Sequence, residues 1–254
     1  MHRYIDVLKK NDLFTGICTE NIGKILDYFD ARLRVFDDGD YIFKSNNELN
    51  RIAVFIDGKA QIINEDFLGN ATTLSQVGNG DIFGEVHSLL PYDTPTVSVV
   101  ALCRTTVIFI DIDCILTPIQ DISDCQSQLR SNLMRIMARK LLNNARKLEH
   151  ISRRSTRQKL LSYFTEQMNT HHSPAFDIPF SRQQLADYLA VDRSAMSSEL
   201  SKMQRDGLIH YNLNHFELIP EDECVSYFFL FVSLRISQEN TANGSHYPLI
   251  PFCC

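Results

Sequence analysis

The spacing of apolar residues changes along the chain, and each change predicts a different kind of element. Residues 1–30 carry apolar residues at helical spacing, which predicts two helices, with Thr19 as a candidate N-cap of the second. Over residues 34–112 the period becomes two, in short β-rich runs separated by turns such as DDGD and GNGD. Many short strands joined by such turns predict an antiparallel β-roll or barrel.

A long helix is predicted from about Ser123 to Ile151, and its apolar residues form a heptad pattern. Steps of alternately three and four residues are typical of a seam that needs a partner helix, and a buried amide within it can fix the register. The pattern predicts a homodimer, although the stripe could instead pack on the chain's own β-roll. The predicted seam residues are Met134, Met137, Leu141, Asn144, Leu148 and Ile151.

Residues 180–209, FSRQQLADYLAVDRSAMSSELSKMQRDGLI, predict two short helices separated by a turn. Ser181 is a candidate N-cap, with Gln184 three residues later as in a capping box. The run GLIHYNLNHFELI that begins within this segment predicts the two strands of a wing. An ordinary helical hairpin is the alternative, but the wing and the preceding basic helix favour a winged helix-turn-helix.

The outward face of the second short helix is suited to DNA. It carries small hydroxyl side chains, which let a helix enter the major groove, and one arginine, which can bind guanine. The start of the first short helix is placed for phosphate contacts. The predicted DNA-contacting residues are Ser181, Arg182, Gln183, Arg193, Ser194, Ser197, Ser198 and Lys202.

The net charge of −6 conceals a basic middle segment. Residues 1–124 hold ten basic and nineteen acidic residues, residues 125–219 hold fourteen and eight, and residues 220–254 hold one and four. Within the middle segment, residues 130–160 hold ten basic residues and a single acid. Because phosphate binding depends on local charge rather than on the total, this acidic chain is expected to bind a polyanion.

These motifs resemble the cyclic-AMP receptor protein/FNR family of bacterial transcription regulators. The family's helix-turn-helix is similar to residues 180–209, and the GDxFGE motif of its sensor barrel is present as GDIFGE at residues 80–85. The resemblance covers about residues 5–219. It implies a homodimer whose N-terminal β-roll binds an effector and whose C-terminal domains bind a two-fold symmetric DNA site, with RNA polymerase as a candidate further partner.

The resemblance places base-edge contacts on Arg193, Ser194 and Ser198. Two positions depart from the family pattern, because Ser198 stands where a second arginine is frequent and Ala190 replaces the usual turn glycine. The operator is therefore expected to differ from the family's best-known one. A left-handed backbone at Ala190 would cost about 1 kcal/mol.

The predicted fold is α+β. Residues 1–122 are expected to form an effector-sensing, cupin-like β-roll of the cyclic-nucleotide-binding type. Residues 123–152 are expected to form a dimerisation helix and hinge, and residues 153–219 a winged helix-turn-helix. Residues 220–254 fit neither domain and are a tail of unknown role.

The resemblance also implies an effector pocket, in which a glutamate accepts from a ribose hydroxyl and an arginine neutralises the cyclic phosphate. Pro95 stands in the place of that arginine, and no Lys or Arg lies between Lys59 and Arg104. Burying a phosphate without a counter-charge costs several kcal/mol, so cyclic AMP is not the expected effector. The candidate pocket residues are Gly84, Glu85, Val86, His87, Thr96 and Val97.

Other effectors are weighed against the same residues. An iron–sulfur cluster needs several N-terminal cysteines, whereas only Cys18 precedes residue 100. Haem on His87, with Cys103 and Cys114 elsewhere on the barrel, and a thiol switch through Cys114 and Cys125 are lesser alternatives. An unidentified small anionic or apolar ligand, or no ligand, is the main expectation, and no metal site is predicted.

The remaining patterns concern compartment and class. Seven scattered cysteines, no signal-peptide pattern and a longest apolar run of only residues 225–234 predict a cytoplasmic protein with free thiols and no membrane partner. No catalytic motif is visible, so an enzyme is not expected. The alternatives are a cyclic-nucleotide-binding regulatory module and a haem- or redox-sensing regulator.

Overall fold

The computed structural model describes residues 4–45, 50–65, 71–90 and 96–219. It divides the chain into two compact units, Met1–Lys140 and Leu141–Cys254, so that the division falls within the long helix. Pro95 and the predicted tail, residues 220–254, lie outside the described residues.

The first unit begins with short helices. They are α1 (Ile5–Leu8), a 3₁₀ turn at Asp12–Phe14, and α2 (Thr19–Tyr28). The first predicted helix is shorter than expected because the Asn11 side chain accepts from the Leu13 amide and so begins a separate turn. The expected N-cap of α2 is wrong by one residue: Cys18 has the extended backbone of a cap, with ψ 154°, and Thr19 is already helical.

The β-roll consists of two four-stranded antiparallel sheets, ordered β1-β8-β3-β6 and β2-β7-β4-β5. Seven of the eight strands match predicted runs, and the two-residue β6 is too short to show a period. A glycine is required between β3 and β4, where Gly58 has φ 96° and a Cβ would lie 2.5 Å from Thr105 Oγ1. The strands are β1 (Arg32–Phe36), β2 (Tyr41–Phe43), β3 (Arg51–Asp57), β4 (Lys59–Glu65), β5 (Ala71–Gly78), β6 (Ile82–Phe83), β7 (Val97–Ala101) and β8 (Thr105–Asp111).

Apolar side chains fill the roll and cover one of its sheets. A cluster between the sheets contains Phe83 and Phe109, with Phe43 within 5.3 and 5.7 Å of their ring centroids. A second cluster joins the first helices and the long helix to β3 and β8. The short helices α3 (Glu85–Leu89) and α4 (Ile112–Leu116) complete the roll.

The long helix α5 (Ser123–Ile151) matches its predicted bounds. Buried amides fix its first half on the roll. Gln126 accepts from the Ile119 amide and donates to the carbonyls of Cys114 and Thr117, and Asn132 donates to the carbonyls of Leu13 and Thr15. Each side-chain amide provides hydrogen-bond partners for backbone carbonyls at the end of a short helical segment, where buried carbonyls need them.

The second unit contains the predicted winged helix-turn-helix. The sheet order is β10-β11-β9, so a short strand adds to the expected wing. The capping box of Ser181 and Gln184 is present, and Ala190 has φ 50°, the left-handed conformation that costs an alanine about 1–2 kcal/mol. The elements are α6 (Thr156–His171), β9 (Ala175–Asp177), α7 (Arg182–Tyr188), α8 (Arg193–Arg205), β10 (Ile209–Asn212) and β11 (His215–Leu218).

Candidate nucleic-acid interface and effector pocket

Helix α8 has one buried face and one exposed face. Met196, Leu200 and Met203 are buried in the core of the second unit. The predicted reading residues are all exposed on the opposite side: Arg193, Ser194, Ser197, Ser198 and Lys202. The exposed face is therefore accessible to a ligand as large as duplex DNA.

The polar side chains of this face differ in how far they are already engaged. The Ser194 hydroxyl donates to the Asp192 carboxylate, which, together with the Ala195 amide, lowers the pKa of Asp192. Ser197 donates to the backbone carbonyl of Arg193. Among the described residues, the side chains of Arg193 and Ser198 have no hydrogen-bond partner. Arg193 is thus the cation on this face that is available without breaking an internal bond.

Two basic residues of α6 hold α8 and the preceding turn in place. Arg157 donates to the carboxylates of Glu199 and Asp206, both at 2.6 Å. Lys159 donates to the carbonyls of Leu189 and Ala190, which stabilises the turn at the C-terminal end of α7. Sequence reasoning missed both roles because the partners lie at least thirty residues away along the chain.

Arg182, a predicted phosphate-contacting residue, is engaged within its own unit. Its Nη2 donates to the Leu213 carbonyl at 2.8 Å, and its guanidinium lies 4.8 and 4.9 Å from the ring centroids of Tyr211 and Phe216. Burial lowers the pKa of the Arg182 guanidinium. The side chain is therefore held in the wing, whereas Ser181 and Gln183 on either side of it are exposed.

Replacing Arg182 with methionine is expected to destabilise the second unit by about 1–3 kcal/mol, because one hydrogen bond and two cation–π contacts are lost while the apolar stem remains. Urea unfolding followed by circular dichroism measures this change. Gln183→Met is the matched control, since Gln183 is exposed and contacts only Asp187 within the described residues; it should shift stability by less than about 0.5 kcal/mol. Equal stability of the two variants would contradict the assigned role.

Most of the basic run at residues 130–160 is bonded internally, so few of its cations are available to phosphate without breaking a contact. Five of its cations pair with carboxylates, and Arg130, Arg135, Lys147 and Lys159 contact carbonyls, an amide or an aromatic ring. Within the described residues, Arg154 is the one member without such a partner. The carboxylate-paired members are Arg139, Lys140, Arg146, Arg153 and Arg157.

The segment between α5 and α6 is short, and a buried histidine lies next to it at the end of α5. Helix α5 continues to Ile151 and α6 begins at Thr156. His150 Nδ1 lies 2.9 Å from Ser162 Oγ, and its Nε2 lies 2.7 Å from Glu166 Oε2. Because both ring nitrogens contact residues of α6, the histidine links the C-terminal end of α5 to α6.

The apolar residues of α5 lie on two sides of the helix. Met134, Leu141 and Leu148 are exposed, with 64, 72 and 63% of their surface accessible. Met137 instead packs against the core of the first unit, and Asn144 lies one heptad further on the same helical side. We define the outer stripe as the exposed residues that recur every three or four positions: Met134, Ala138, Leu141, Ala145 and Leu148. Of the predicted seam, Met134, Leu141, Asn144 and Leu148 are exposed, whereas Met137 and Ile151 are half-buried.

The residues of the predicted effector pocket surround α3. Gly84 has φ 93° and precedes the helix, and Val86 is exposed whereas His87 is half-buried. Glu85 is 4% exposed, and its Oε1 lies 2.6 Å from the Lys140 Nζ of α5, which also donates to the Ile82 carbonyl. The carboxylate that the resemblance assigned to a ribose hydroxyl is thus bonded to an ammonium group.

The other predicted sensor residues are less well placed for ligand binding. Thr96 is exposed and Val97 is half-buried at the start of β7. Burial and neighbouring carboxylates raise the pKa of the Cys114 thiol, the opposite of what a reactive switch needs. Among the described residues no cluster of three His, Cys, Asp or Glu could hold a metal ion.

Ser98 was not predicted and is fully buried beside Thr96 and Val97. It accepts from the Ser45 amide and donates to Glu65, and Glu65 also accepts from Tyr41. The sequence signal was weak, because a serine within a β-rich run is usually a solvent-facing residue. The bonds hold the edge of the sheet together close to the predicted pocket.

Comparisons with known proteins define the class. Residues 33–121 match the cyclic nucleotide-binding domain model, and residues 158–221 match the Crp-like helix-turn-helix domain model. This combination of a nucleotide-binding-type roll with a helix-turn-helix defines a DNA-binding transcription regulator. The chain belongs to the cyclic-AMP receptor protein/FNR family of transcription regulators.

Individual relatives are distant. The chain is 24% identical over 202 residues to the cyclic AMP receptor protein of Thermus thermophilus, which covers 80% of this chain and 89% of the relative. The fold is shared with CprK complexed with OCPA (TM-score 0.58, 14% identity, 77 and 88% coverage). It is also shared with the c-di-GMP responsive regulator CLP of Xanthomonas campestris (TM-score 0.53, 18% identity, 80 and 100% coverage). None of the helices in the described ranges has the length and apolar character needed to cross a membrane.

Proposed function

We propose that this transcription regulator acts as a homodimer that reads a two-fold symmetric DNA site with α8. The observation that carries the proposal is the exposed face of α8, where Arg193 has no internal partner among the described residues and is surrounded by small hydroxyl side chains. Arginine can bind the edge of guanine bidentately, and serines keep the backbone close to the groove. Arg193, Ser194 and Ser198 contact base edges, and Ser197 and Lys202 lie at the margin.

Phosphate contacts are assigned to the start of α7. Ser181 and Gln183 are exposed there, and the N-terminus of a helix favours phosphate. Arg182 supports the wing against which this turn packs rather than contacting the backbone of DNA. The charge that reaches phosphate comes mainly from Arg154, Arg193 and Arg205, which are exposed and have no carboxylate partner among the described residues.

Dimerisation is supported by the outer stripe of α5. Three large apolar residues, Met134, Leu141 and Leu148, are exposed in the single chain, and Ala138 and Ala145 between them allow a second helix to approach closely. A dimer formed through this stripe presents two copies of α8 to half-sites about 34 Å apart. An effector that binds one arrangement of the dimer better than another shifts DNA affinity by that difference.

The effector is not cyclic AMP in this proposal. Pro95 cannot neutralise a cyclic phosphate, and Glu85 is already bonded to Lys140. A haem- or thiol-based regulator is the weaker alternative, because the pKa of the Cys114 thiol is raised. The absorption spectrum and native mass of the purified dimer would detect haem or another retained ligand.

Salt dependence of binding to a random-sequence duplex tests the function. Six unpaired arginines per dimer, three in each chain, should give a slope of log affinity against log salt of about −5. Arg154→Ala should reduce the magnitude of the slope by about 2 in the dimer. Arg153→Ala is the matched control, because Arg153 already pairs with Glu149, and it should change the slope less.

If the chain were a regulatory module without DNA-binding function, the slope of log affinity against log salt would be near zero. That result would overturn the proposal. Cyclic AMP titrated into the dimer should produce no heat of binding and no change in DNA affinity. A cyclic-AMP-dependent rise in affinity would contradict the assignment of the effector while leaving the DNA-binding function intact.

A further inference from the structure

The pair of Glu85 and Lys140 links the start of α3 to the long helix. Lys140 Nζ donates to Glu85 Oε1 at 2.6 Å and to the Ile82 carbonyl at 2.8 Å. One lysine therefore holds both a side chain and the backbone of residues 82–85. Lys140 belongs to α5, fifty-five residues later in the chain.

Burial makes this pair different from an ordinary surface ion pair. The Glu85 side chain is 5% exposed, whereas that of Lys140 is 44% exposed. A buried carboxylate that loses its counter-charge is strongly destabilised, whereas a solvent-exposed pair contributes little. The buried Glu85 carboxylate therefore depends on Lys140 for its counter-charge. The more exposed Lys140 ammonium depends less on Glu85, because water solvates it.

The neighbouring residue provides an internal comparison. Arg139 also extends from α5 to the first unit, where it pairs with Asp12, but both side chains are more than half exposed. The two residues have equal charge and adjacent positions on the same helix. Only the Lys140 pair contains a buried carboxylate in the predicted effector pocket.

We propose that Lys140 is a positioning residue that holds α5 against residues 82–85 when no ligand is bound, so that the dimer binds its operator in the effector-free state. The proposal rests on the function proposed above. In this arrangement the ammonium group satisfies the pocket carboxylate and joins the pocket to the dimerisation helix. A ligand that used Glu85 would have to displace Lys140 first.

The expected consequence concerns specificity rather than general DNA affinity. Without Lys140, Glu85 turns toward solvent and the Ile82 carbonyl loses its partner, so α5 keeps the contacts of its first half but is no longer held against residues 82–85. An operator fits one arrangement of the two recognition helices, whereas a random duplex does not discriminate between arrangements. The ratio of operator affinity to random-duplex affinity should therefore fall.

The experiment uses the full chain and an operator selected by the wild-type protein from a random duplex library. Lys140→Met should lower the ratio of the two affinities about tenfold or more, measured by fluorescence anisotropy. Arg139→Met, which removes the same charge from the next residue, should leave the ratio within about twofold. An unchanged or higher ratio in Lys140→Met would overturn the proposal.

A double variant separates positioning from simple stabilisation. Glu85→Gln combined with Lys140→Met removes the stranded charge, so thermal stability should recover most of what Lys140→Met loses. If Lys140 positions α5, the affinity ratio stays low in the double variant. If the ratio recovers together with stability, the pair is only structural and the inference is wrong. Failure of the wild-type protein to select any duplex would instead contradict the proposed function itself.

Discussion

Arg193→Glu is expected to lower the affinity for the selected operator by about 100-fold or more, because the dimer loses two guanine contacts of about 1–3 kcal/mol each and gains two repelled carboxylates. Arg193 is the first residue of α8 and is exposed. Its replacement removes no hydrogen bond of the side chain within the described residues. The fold should therefore be unaffected, and the measurement is anisotropy with operator and random duplexes.

Arg205→Glu is the matched control for this change. Arg205 lies at the other end of the same helix, where its Nε donates only to the Ser201 carbonyl among the described residues. Both variants change the charge equally, so loss of random-duplex affinity should be similar. If operator affinity falls equally in both variants, α8 contributes charge but does not read bases, and the assignment of base contacts to its N-terminal end is wrong.

Local patterns predicted the recognition unit well because its signals lie close together in the sequence. The capping box of Ser181 and Gln184 spans three residues, and the buried residues of α8 recur at helical spacing. The left-handed backbone of Ala190 agrees with the resemblance, in which a turn glycine is usual at this position. In each case the determining contacts are within a few residues, so the pattern is nearly sufficient.

Long-range partners could not be predicted in the same way. Arg182 was assigned to phosphate because it begins a helix, yet its guanidinium is held by Tyr211, Leu213 and Phe216 of the wing. Likewise, a run of basic residues looks available in sequence whether or not carboxylates from other elements pair with it. The positive electrostatic potential available to DNA is thus weaker than the composition indicates.

The predicted effector pocket shows the same limit. Gly84 and Glu85 were recognised from their motif, but the partner of Glu85 is Lys140 on another element. Nothing in the spacing of the sequence connects the two positions. The absence of an arginine at Pro95 was visible in sequence, whereas the counter-charge that the glutamate already has became visible only in the fold.

The heptad of α5 illustrates how one pattern allows two interpretations. Met134, Leu141 and Leu148 recur every seven residues, and either Met137 with Asn144 or Ala138 with Ala145 can complete the repeat. Sequence favours the first pair because methionine is large and apolar. In the fold, Met137 is packed against the core of its own unit, whereas Asn144, Ala138 and Ala145 are all exposed.

Leu141→Glu is expected to raise the dissociation constant of the dimer by about 100-fold or more. Two copies of a leucine would lose burial worth about 1.5–3 kcal/mol each, and two carboxylates would face each other across the interface. Sedimentation equilibrium measures the change. Operator affinity should fall with it, because a single chain reaches only one half-site.

Leu142→Glu is the matched control, because this neighbouring leucine is 50% exposed but lies about 100° around the helix from Leu141. It removes the same side chain and adds the same charge, so helix propensity and net charge cannot explain a difference between the variants. A second pair distinguishes the two possible stripes: Ala145→Leu should crowd the interface and weaken the dimer, whereas Asn144→Leu should not. The reverse result would show that the dimer uses Met137 and Asn144 and that Met137 leaves its packing against the first unit.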